Sequence, residues 1–373
     1  MVSRIILLST VLLGPVLGLG QSIPGTVDDA RMKAVLEPIR EKHKIPALAA
    51  ALVTGQGLEA AGAVGVRKAG TDIPVTIEDL WHLGSDTKAM TAAMIGALVE
   101  RGILKWDAAP ADLFPDLPES ASAAMKKATL LHLLAHRAGL PGNLPWGLIR
   151  RTETIRGQRL AAIKAAGGLK IAVDLPAPFL YSNLGFVIAG AMAEKAVDAS
   201  WEDLMRSYLF EPLGMTGAGF GGTGTPGQID QPWPHFENGK PTETNGPDTD
   251  NPPVIGPAGT IHCRLSDWAK FIADQLRGAR GEPALLKAET YRRLHTPPFS
   301  GPYALGWASV DLDWAGGRTL THDGSNSMNY CSAHVVPENN YAVLVVTNQG
   351  GEAARSACGE ASREIVRIFR NVK

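Results

Sequence analysis

The sequence predicts an α+β fold of the α/β sandwich kind: an antiparallel sheet flanked by terminal helices, with an all-helical lobe inserted. Three observations carry this. Segments that read as strands lie at both ends of the chain. The stretch between them, to about residue 220, is dominated by apolar residues at i, i+3 and i+4. A helical run stands near each terminus.

Taken in order, Arg4 precedes an apolar run from Ile5 to Leu19, and Gly18-Leu19-Gly20 places small residues before Gln21, the pattern of a secretory signal over residues 1–20. The run is short for a membrane span and is interrupted by Pro15, though a retained anchor is the alternative reading. The lack of a cysteine near the cut argues against a lipoprotein. Val27 to His43 is periodic (Met32, Val35, Leu36, Ile39) and ends before Pro46. Ala47 to Thr54 and Leu58 to Val66 read as strands joined by Gly55-Gln56-Gly57, a hairpin signal. A buried helix follows, to about Arg101, with Met90, Met94, Ile95, Ala97 and Leu98 on one face.

Thr129 to Ala135, Thr154 to Ala166, Leu184 to Ala196 and Trp201 to Phe210 are also helical in spacing, separated by Pro and Gly. Gly221 to Gly259 is rich in Gly, Pro, Asp, Asn and Thr, and a loop of that length in a compact enzyme is usually functional or mobile. Within it, Trp233, His235 and Phe236 are candidates for a short hairpin over a site. Ser266 to Leu276 and Ala284 to Leu294 read as helices. Tyr303 to Val310, Thr319 to His322, Cys331 to Val336 and Tyr341 to Thr347 read as strands, and Ala353 to Arg370 as a closing helix. The expected division is an α/β lobe over about 25–80 and 257–373 and a helical lobe over about 85–256, together a catalytic domain over 21–373.

The 373 residues are 45% hydrophobic and 20% charged, with a formal net charge of −1 and no cluster of Lys or Arg, so nucleic-acid binding has no electrostatic support. Cys263, Cys331 and Cys358 allow at most one disulfide, and sequence does not choose among the three pairings.

The chemistry concentrates in three stretches. In Gly84-Ser85-Asp86-Thr87-Lys88, helical spacing puts a hydroxyl and an amine on one face, about 5–6 Å apart at Cβ. A serine needs a base to become a nucleophile, and a lysine among apolar neighbours loses hydration and basicity. The helix N-terminus adds N–H groups that favour an oxyanion. In isolation Ser85 also reads as an ordinary N-cap. Tyr181-Ser182-Asn183 opens another helix. A neighbouring ammonium is expected to lower the Tyr181 pKa so that its phenolate serves as a base, with Asn183 bonding Lys88; an Asn/Ser cap with a packed tyrosine is the alternative. His322-Asp323-Gly324-Ser325 ends a strand: Gly324 lets a substrate backbone lie close, the Ser325 N–H is a second oxyanion donor with that of Ser85, and His322 is a positive or hydrogen-bonding wall. An Asp-Gly turn with an incidental histidine is the competing reading.

Ser-x-x-Lys, Tyr-Ser-Asn and His-x-Gly, in this order and at these intervals, resemble the serine β-lactamase and penicillin-recognising superfamily, in its class C-like branch with D-alanyl-D-alanine carboxypeptidases and esterases. Leu131-His132-Leu133-Leu134-Ala135-His136-Arg137-Ala138-Gly139-Leu140, Phe210-Glu211-Pro212-Leu213-Gly214-Met215, Pro257-Ala258-Gly259-Thr260 and Tyr303-Ala304-Leu305-Gly306-Trp307 are similar to further segments of that family, so the likeness covers about 25–370. It implies a β-lactamase/transpeptidase-like fold and an acylated Ser85. It implies proton transfer shared by Lys88 and Tyr181, Asn183 orienting Lys88 and substrate, and His322 where related enzymes carry lysine or histidine. No cofactor and no metal are implied, His132 and His136 belonging to a structural segment without a His-Glu-x-x-His pattern. No class A-type Glu-x-x-Leu-Asn loop is visible.

One position departs from the family. Asp323 stands where Thr or Ser usually helps hold a substrate carboxylate, and two carboxylates at 4 Å repel by about 4 kcal/mol at an effective dielectric near 20. Poor handling of penicillins and D-Ala-D-Ala ends follows, with better turnover of neutral esters or amides. The expected function is therefore an exported, periplasmic or secreted serine hydrolase acting on a small-molecule or peptide substrate. A D-alanyl-D-alanine carboxypeptidase or class C-like β-lactamase is one alternative, and a penicillin-binding-like sensor that acylates without turnover is another. Sequence leaves the oligomeric state and natural substrate open.

Overall fold

The computed structural model describes residues 28–117, 121–149, 154–169 and 174–372. The expected signal segment lies outside the described residues. The main sheet uses β1 (Ala47–Thr54), β2 (Gly57–Gly65), β6 (Ala308–Leu312), β7 (Gly317–Ser325), β8 (Tyr330–Val336) and β9 (Tyr341–Thr347), in the order β2-β1-β9-β8-β7-β6. Every neighbouring pair is antiparallel. A small second sheet orders β3 (Trp81–His82), β5 (Ile261–Cys263) and β4 (Gly219–Phe220) as β3-β5-β4.

Strand alternation sends apolar side chains to both faces of the main sheet. On one face Leu48, Leu52, Val343 and Val345 pack with Met32 and Leu36 of the helix Ala30–His43 and with Ala357 and Ile365 of the helix Glu352–Arg370. On the other, Ala49, Ala51, Leu344 and Val346 join a larger core with Trp268, Phe271 and Ile272 of the helix Leu265–Ala279 and with the inserted helices. Serving two cores buries β1 and β9 almost throughout, which is why both read as near-continuous apolar runs.

The helix Thr87–Glu100 is buried from Thr87 to Leu98 on all sides, as a helix packed around its whole circumference must be. It packs against the helix Asn183–Val197 and the short turn Gly256–Gly259. A buried guanidinium fastens this region. Arg159 donates to Glu194 at 2.6 Å, to Glu202 at 2.6 Å, and to the carbonyls of Pro253 at 2.9 Å and Val254 at 3.2 Å.

Several expectations needed revision. The segment from Tyr303 is not strand until Ala308, because Ala304 N–H closes a turn onto Trp307 O at 2.7 Å. Gly306 makes that turn possible: its φ is +81°, and a Cβ there would stand 2.7 Å from Ala89 Cα. The run Trp201–Phe210 is α-helical only to Met205 and continues as a wider π turn over Arg206–Phe210. The helix expected from Ala284 begins at Ala288. The three cysteines are buried and unpaired. Among the described residues no helix is long and apolar enough to cross a membrane.

Arg159→Ala leaves Glu194 and Glu202 facing each other without their cation. The stability loss is expected near 3–5 kcal/mol by denaturant titration, reduced to the extent that Glu194, whose pKa burial already raises, takes up a proton. A loss below about 1 kcal/mol would show that the network is not a fastening.

Candidate active site

Ser85 lies in a 3₁₀ turn, Gly84–Asp86, and the α-helix begins only at Thr87. The i, i+3 relation survives this change, since a 3₁₀ turn also stacks residues three apart. The turn can press against the end of β7 because Gly84 has φ +46° and no side chain: a Cβ there would sit 2.3 Å from Ser325 N. The same corner requires Gly324, whose Cβ would fall 2.0 Å from Leu83 O. Backbone at the nucleophile turn and at the end of β7 is thereby in direct contact.

Lys88 is fully buried beneath this turn. Its Nζ lies 3.0 Å from Ser85 Oγ, 2.8 Å from Asn183 Oδ1 and 2.7 Å from Ala258 O. Burial drives its pKa well below the ordinary lysine value. A neutral amine has two N–H groups and one lone pair. The Asn183 and Ala258 oxygens can only accept, so they take both N–H groups, and the lone pair is left facing the Ser85 hydroxyl. The amine is set to receive the Oγ proton.

Tyr181 closes the other side. Its hydroxyl is close enough to Ser85 for the two to influence each other, and Lys88 Nζ stands 4.7 Å from its ring centroid. The expected phenolate does not form: burial, with Asp86 and Asp323 adding to it, pushes the Tyr181 pKa above the ordinary tyrosine value. The expectation assumed a neighbouring ammonium, and burial at Lys88 works against one. Tyr181 is a phenol that can give a proton, and Lys88 is the group placed to accept one. Asn183, the first residue of its helix, also donates from Nδ2 to Asn143 Oδ1 at 3.0 Å. Ser182 is the true N-cap, accepting from Gly185 N–H at 3.1 Å.

His322 is neutral. Its Nδ1–H donates to the Asp323 carbonyl at 2.8 Å, so Nε2 is the acceptor and the Tyr303 hydroxyl donates to it at 2.9 Å. Burial takes its pKa down to about 3. Of the two walls expected, positive or hydrogen-bonding, the positive one is absent. Asp323 requires a second correction. Period-two alternation turns its side chain to the opposite face of the sheet, where it pairs in register with Ser332 and faces Tyr330, so the close repulsion expected at 4 Å loses its geometric basis. Ser325 contributes backbone alone, its Oγ donating to Asn329 O at 2.8 Å.

Sequence reasoning missed Tyr303 as a site residue, and it missed His136. The His136 Nδ1 accepts from Ser182 N–H at 3.0 Å, and its ring lies 4.4 Å from that of Tyr181 and 4.6 Å from that of Tyr303. It holds the tyrosine in place from behind. His132 instead contacts Thr129 at the start of its own helix. The hairpin expected over the site forms as a turn in which Phe236 N–H donates to Lys240 O at 2.9 Å; it lies against Met328 and Gln349.

A hydroxyl, a neutral amine and a phenol converging at the seam of a sheet and a helical lobe define the acyl-transferring serine-lysine class. Comparison with known proteins carries this one step further. The Beta-lactamase family model matches residues 32–366, and the chain belongs to that family, whose members are serine hydrolases. It is 25% identical over 348 residues to "Penicillin-binding protein 4" of Amycolatopsis lactamdurans, covering 87% of this chain and 86% of that one. It is 24% identical over 340 residues to "Unguisins hydrolase ungD" of Aspergillus violaceofuscus, covering 82% of this chain but 58% of the relative. In fold it resembles the octameric penicillin-binding protein homologue from Pyrococcus abyssi, with a TM-score of 0.71 at 20% identity over 91% of this chain and 77% of that one.

Because activity needs the Lys88 lone pair, kcat/KM should rise with pH along a limb set well below the ordinary lysine value of 10.5. Asn183→Asp places a carboxylate against Nζ, stabilises the ammonium and raises the Lys88 pKa. The limb should therefore move to higher pH, read from pH–rate profiles with a neutral ester. A limb that does not move would remove Lys88 from the role of base.

Proposed function

We propose that the chain is an exported serine hydrolase that cleaves uncharged esters or amides through an acyl-enzyme on Ser85. The observation that carries this is the commitment of both Lys88 N–H groups to Asn183 and Ala258 O, which leaves the lone pair for Ser85. Oγ attacks the acyl carbon as Nζ takes its proton. The carbonyl oxygen becomes an oxyanion received by the N–H groups of Ser85 and Ser325. The bond to the leaving group breaks as Tyr181 gives that group its phenolic proton, which Lys88 replaces. Water then attacks the acyl-enzyme, losing its proton to the same amine, and the acid leaves as that ammonium returns the proton to Ser85 Oγ.

The preference for uncharged substrates rests on electrostatics. The His322 imidazole has one nitrogen on the Asp323 carbonyl and the other accepting from Tyr303, so it offers a carboxylate neither charge nor donor. Lys88 is neutral. Export rests on the Arg4 and Ile5–Leu19 pattern. A penicillin-recognising reading, as carboxypeptidase, β-lactamase or non-turning-over sensor, is favoured by the likeness to Penicillin-binding protein 4.

A fluorophosphonate probe should add its phosphonyl mass to the intact protein and not to Ser85→Ala. A neutral aryl ester should exceed a chromogenic cephalosporin in kcat/KM by about tenfold or more, a difference of at least about 1.4 kcal/mol in transition-state binding. The reverse preference would favour the penicillin-recognising reading. A single burst equal to the enzyme, without further turnover, would identify a sensor.

A further inference from the structure

The long loop that reads only as Gly-, Pro- and Asp-rich in sequence delivers one carboxylate beneath the nucleophile turn. His82, at the end of β3, accepts the Gly84 N–H on Nδ1 at 3.1 Å. An unprotonated Nδ1 places the ring proton on Nε2, which donates to Asp250 Oδ2 at 2.8 Å. The other oxygen, Asp250 Oδ1, accepts from Asn326 Nδ2 at 2.8 Å. The side chains of His82 and Asp250 are 2% and 1% exposed. Asn326 is itself fixed, its Oδ1 accepting from Met328 N–H at 3.2 Å and Asn329 N–H at 2.9 Å.

The connections have a common geometry. Through His82, Asp250 holds the residue before Ser85. Through Asn326, it holds the residue after Ser325. Those two positions adjoin Ser85 and Ser325, whose N–H groups receive the oxyanion in the mechanism above, and the two segments touch at Gly84. We propose that Asp250 is a positioning residue for the oxyanion hole, fixing the separation and aim of the Ser85 and Ser325 N–H groups through His82 and Asn326. The inference rests on the Ser85 acyl-enzyme reading. Such a hole works because its donors are aimed before the charge appears, and bonds to a carboxylate are the short, strong kind suited to that task. The neighbouring residue continues the pattern: Asn251 Nδ2 donates to Gly259 O at 3.1 Å, next to the Ala258 carbonyl that holds Lys88.

A carboxylate that merely pinned the loop would affect all substrates alike, and the test uses this. Oxoester and thionoester of the same acid are compared, because a hole aimed at oxygen rejects the larger, weaker-accepting sulfur. The wild type should prefer the oxoester strongly. In Asp250→Asn one of the two carboxylate bonds must be lost, since the amide nitrogen meets either the His82 or the Asn326 N–H. Its kcat for the oxoester should fall by about 10- to 100-fold, part of what losing a whole donor removes, with KM nearly unchanged and the oxo/thiono ratio collapsing. Should that variant fail to fold, the ratio is read on Asn326→Ala, which cuts only the β7 arm. A retained ratio in a folded variant overturns the proposal, whether or not activity falls. A wild type that hydrolyses neither ester and takes no fluorophosphonate fails at the nucleophile, overturning the acyl-enzyme reading and this inference with it. A wild type that takes the probe and turns over, with variants keeping the ratio, fails at Asp250 alone.

Discussion

The site depends on keeping one amine uncharged in a place where it cannot be solvated. Lys88 comes from the helix Thr87–Glu100, Asn183 from the start of the helix Asn183–Val197, and the Ala258 carbonyl from the turn Gly256–Gly259. Three elements from distant parts of the chain therefore have to meet at a single nitrogen. Desolvation disfavours the ammonium, and the two acceptors then decide which way the lone pair points. Neither effect suffices alone. A buried lysine without acceptors would have no fixed orientation, and a solvated one with them would stay protonated at neutral pH. The buried Arg159 network bears on the same point from outside, since it ties the carbonyls of Pro253 and Val254, just ahead of that turn, to the helical lobe.

The sheet contributes a different constraint. Along β7 successive side chains alternate faces, so His322 and Gly324 face the helical lobe while Asp323 and Ser325 face the closing helix. This alternation was legible in the sequence, because His-x-Gly at period two already places its middle residue elsewhere. Treating His322, Asp323 and Gly324 as one surface ignored it, and the argument for carboxylate repulsion failed for that reason. What replaces it is subtler. The pocket wall is polar but carries no charge, because Tyr303 occupies the histidine nitrogen that would otherwise face a ligand.

Legibility followed the length of each element. Ala47–Thr54 and Tyr341–Thr347 were readable to the residue, and the long helices to within three at either end, since several turns or alternations accumulate into a period. The β3-β5-β4 sheet was not: two or three residues carry no period, yet β3 positions His82. Ser85, Lys88, Tyr181 and Asn183 could be picked out because each lies in a motif next to a helix start, and the fold brings all four together. His136, Tyr303 and Asp250 act through contacts across 19 to 168 positions, which no local pattern records. The Tyr181 pKa was misjudged for a related reason. Its direction depends on whether the neighbouring lysine is charged, and that is settled by burial, a property of the folded chain.

The position beside the nucleophile shows how tightly the charges are controlled. Asp86 is buried two residues before Lys88, close enough for each charge to act on the other. As a carboxylate it would hold Lys88 as an ammonium and remove the lone pair on which the chemistry depends. Instead Asp86 lies under β7, where a Cβ on Gly324 would come 2.9 Å from its Oδ2, with Cys331 Sγ 3.1 Å from the same oxygen. Burial raises its pKa well above the ordinary carboxyl range. A neutral acid and a neutral amine are the forms that a low-dielectric pocket favours when the two groups are held on separate partners, Cys331 for one and Asn183 with Ala258 for the other. The turn Gly84–Asp86 separates them, pointing Ser85 and Lys88 into the cleft and Asp86 back under the sheet. In the proposed mechanism, proton transfer from Ser85 is then a transfer to a free base, and the ammonium that results has Asn183 and Ala258 already in place to hold it.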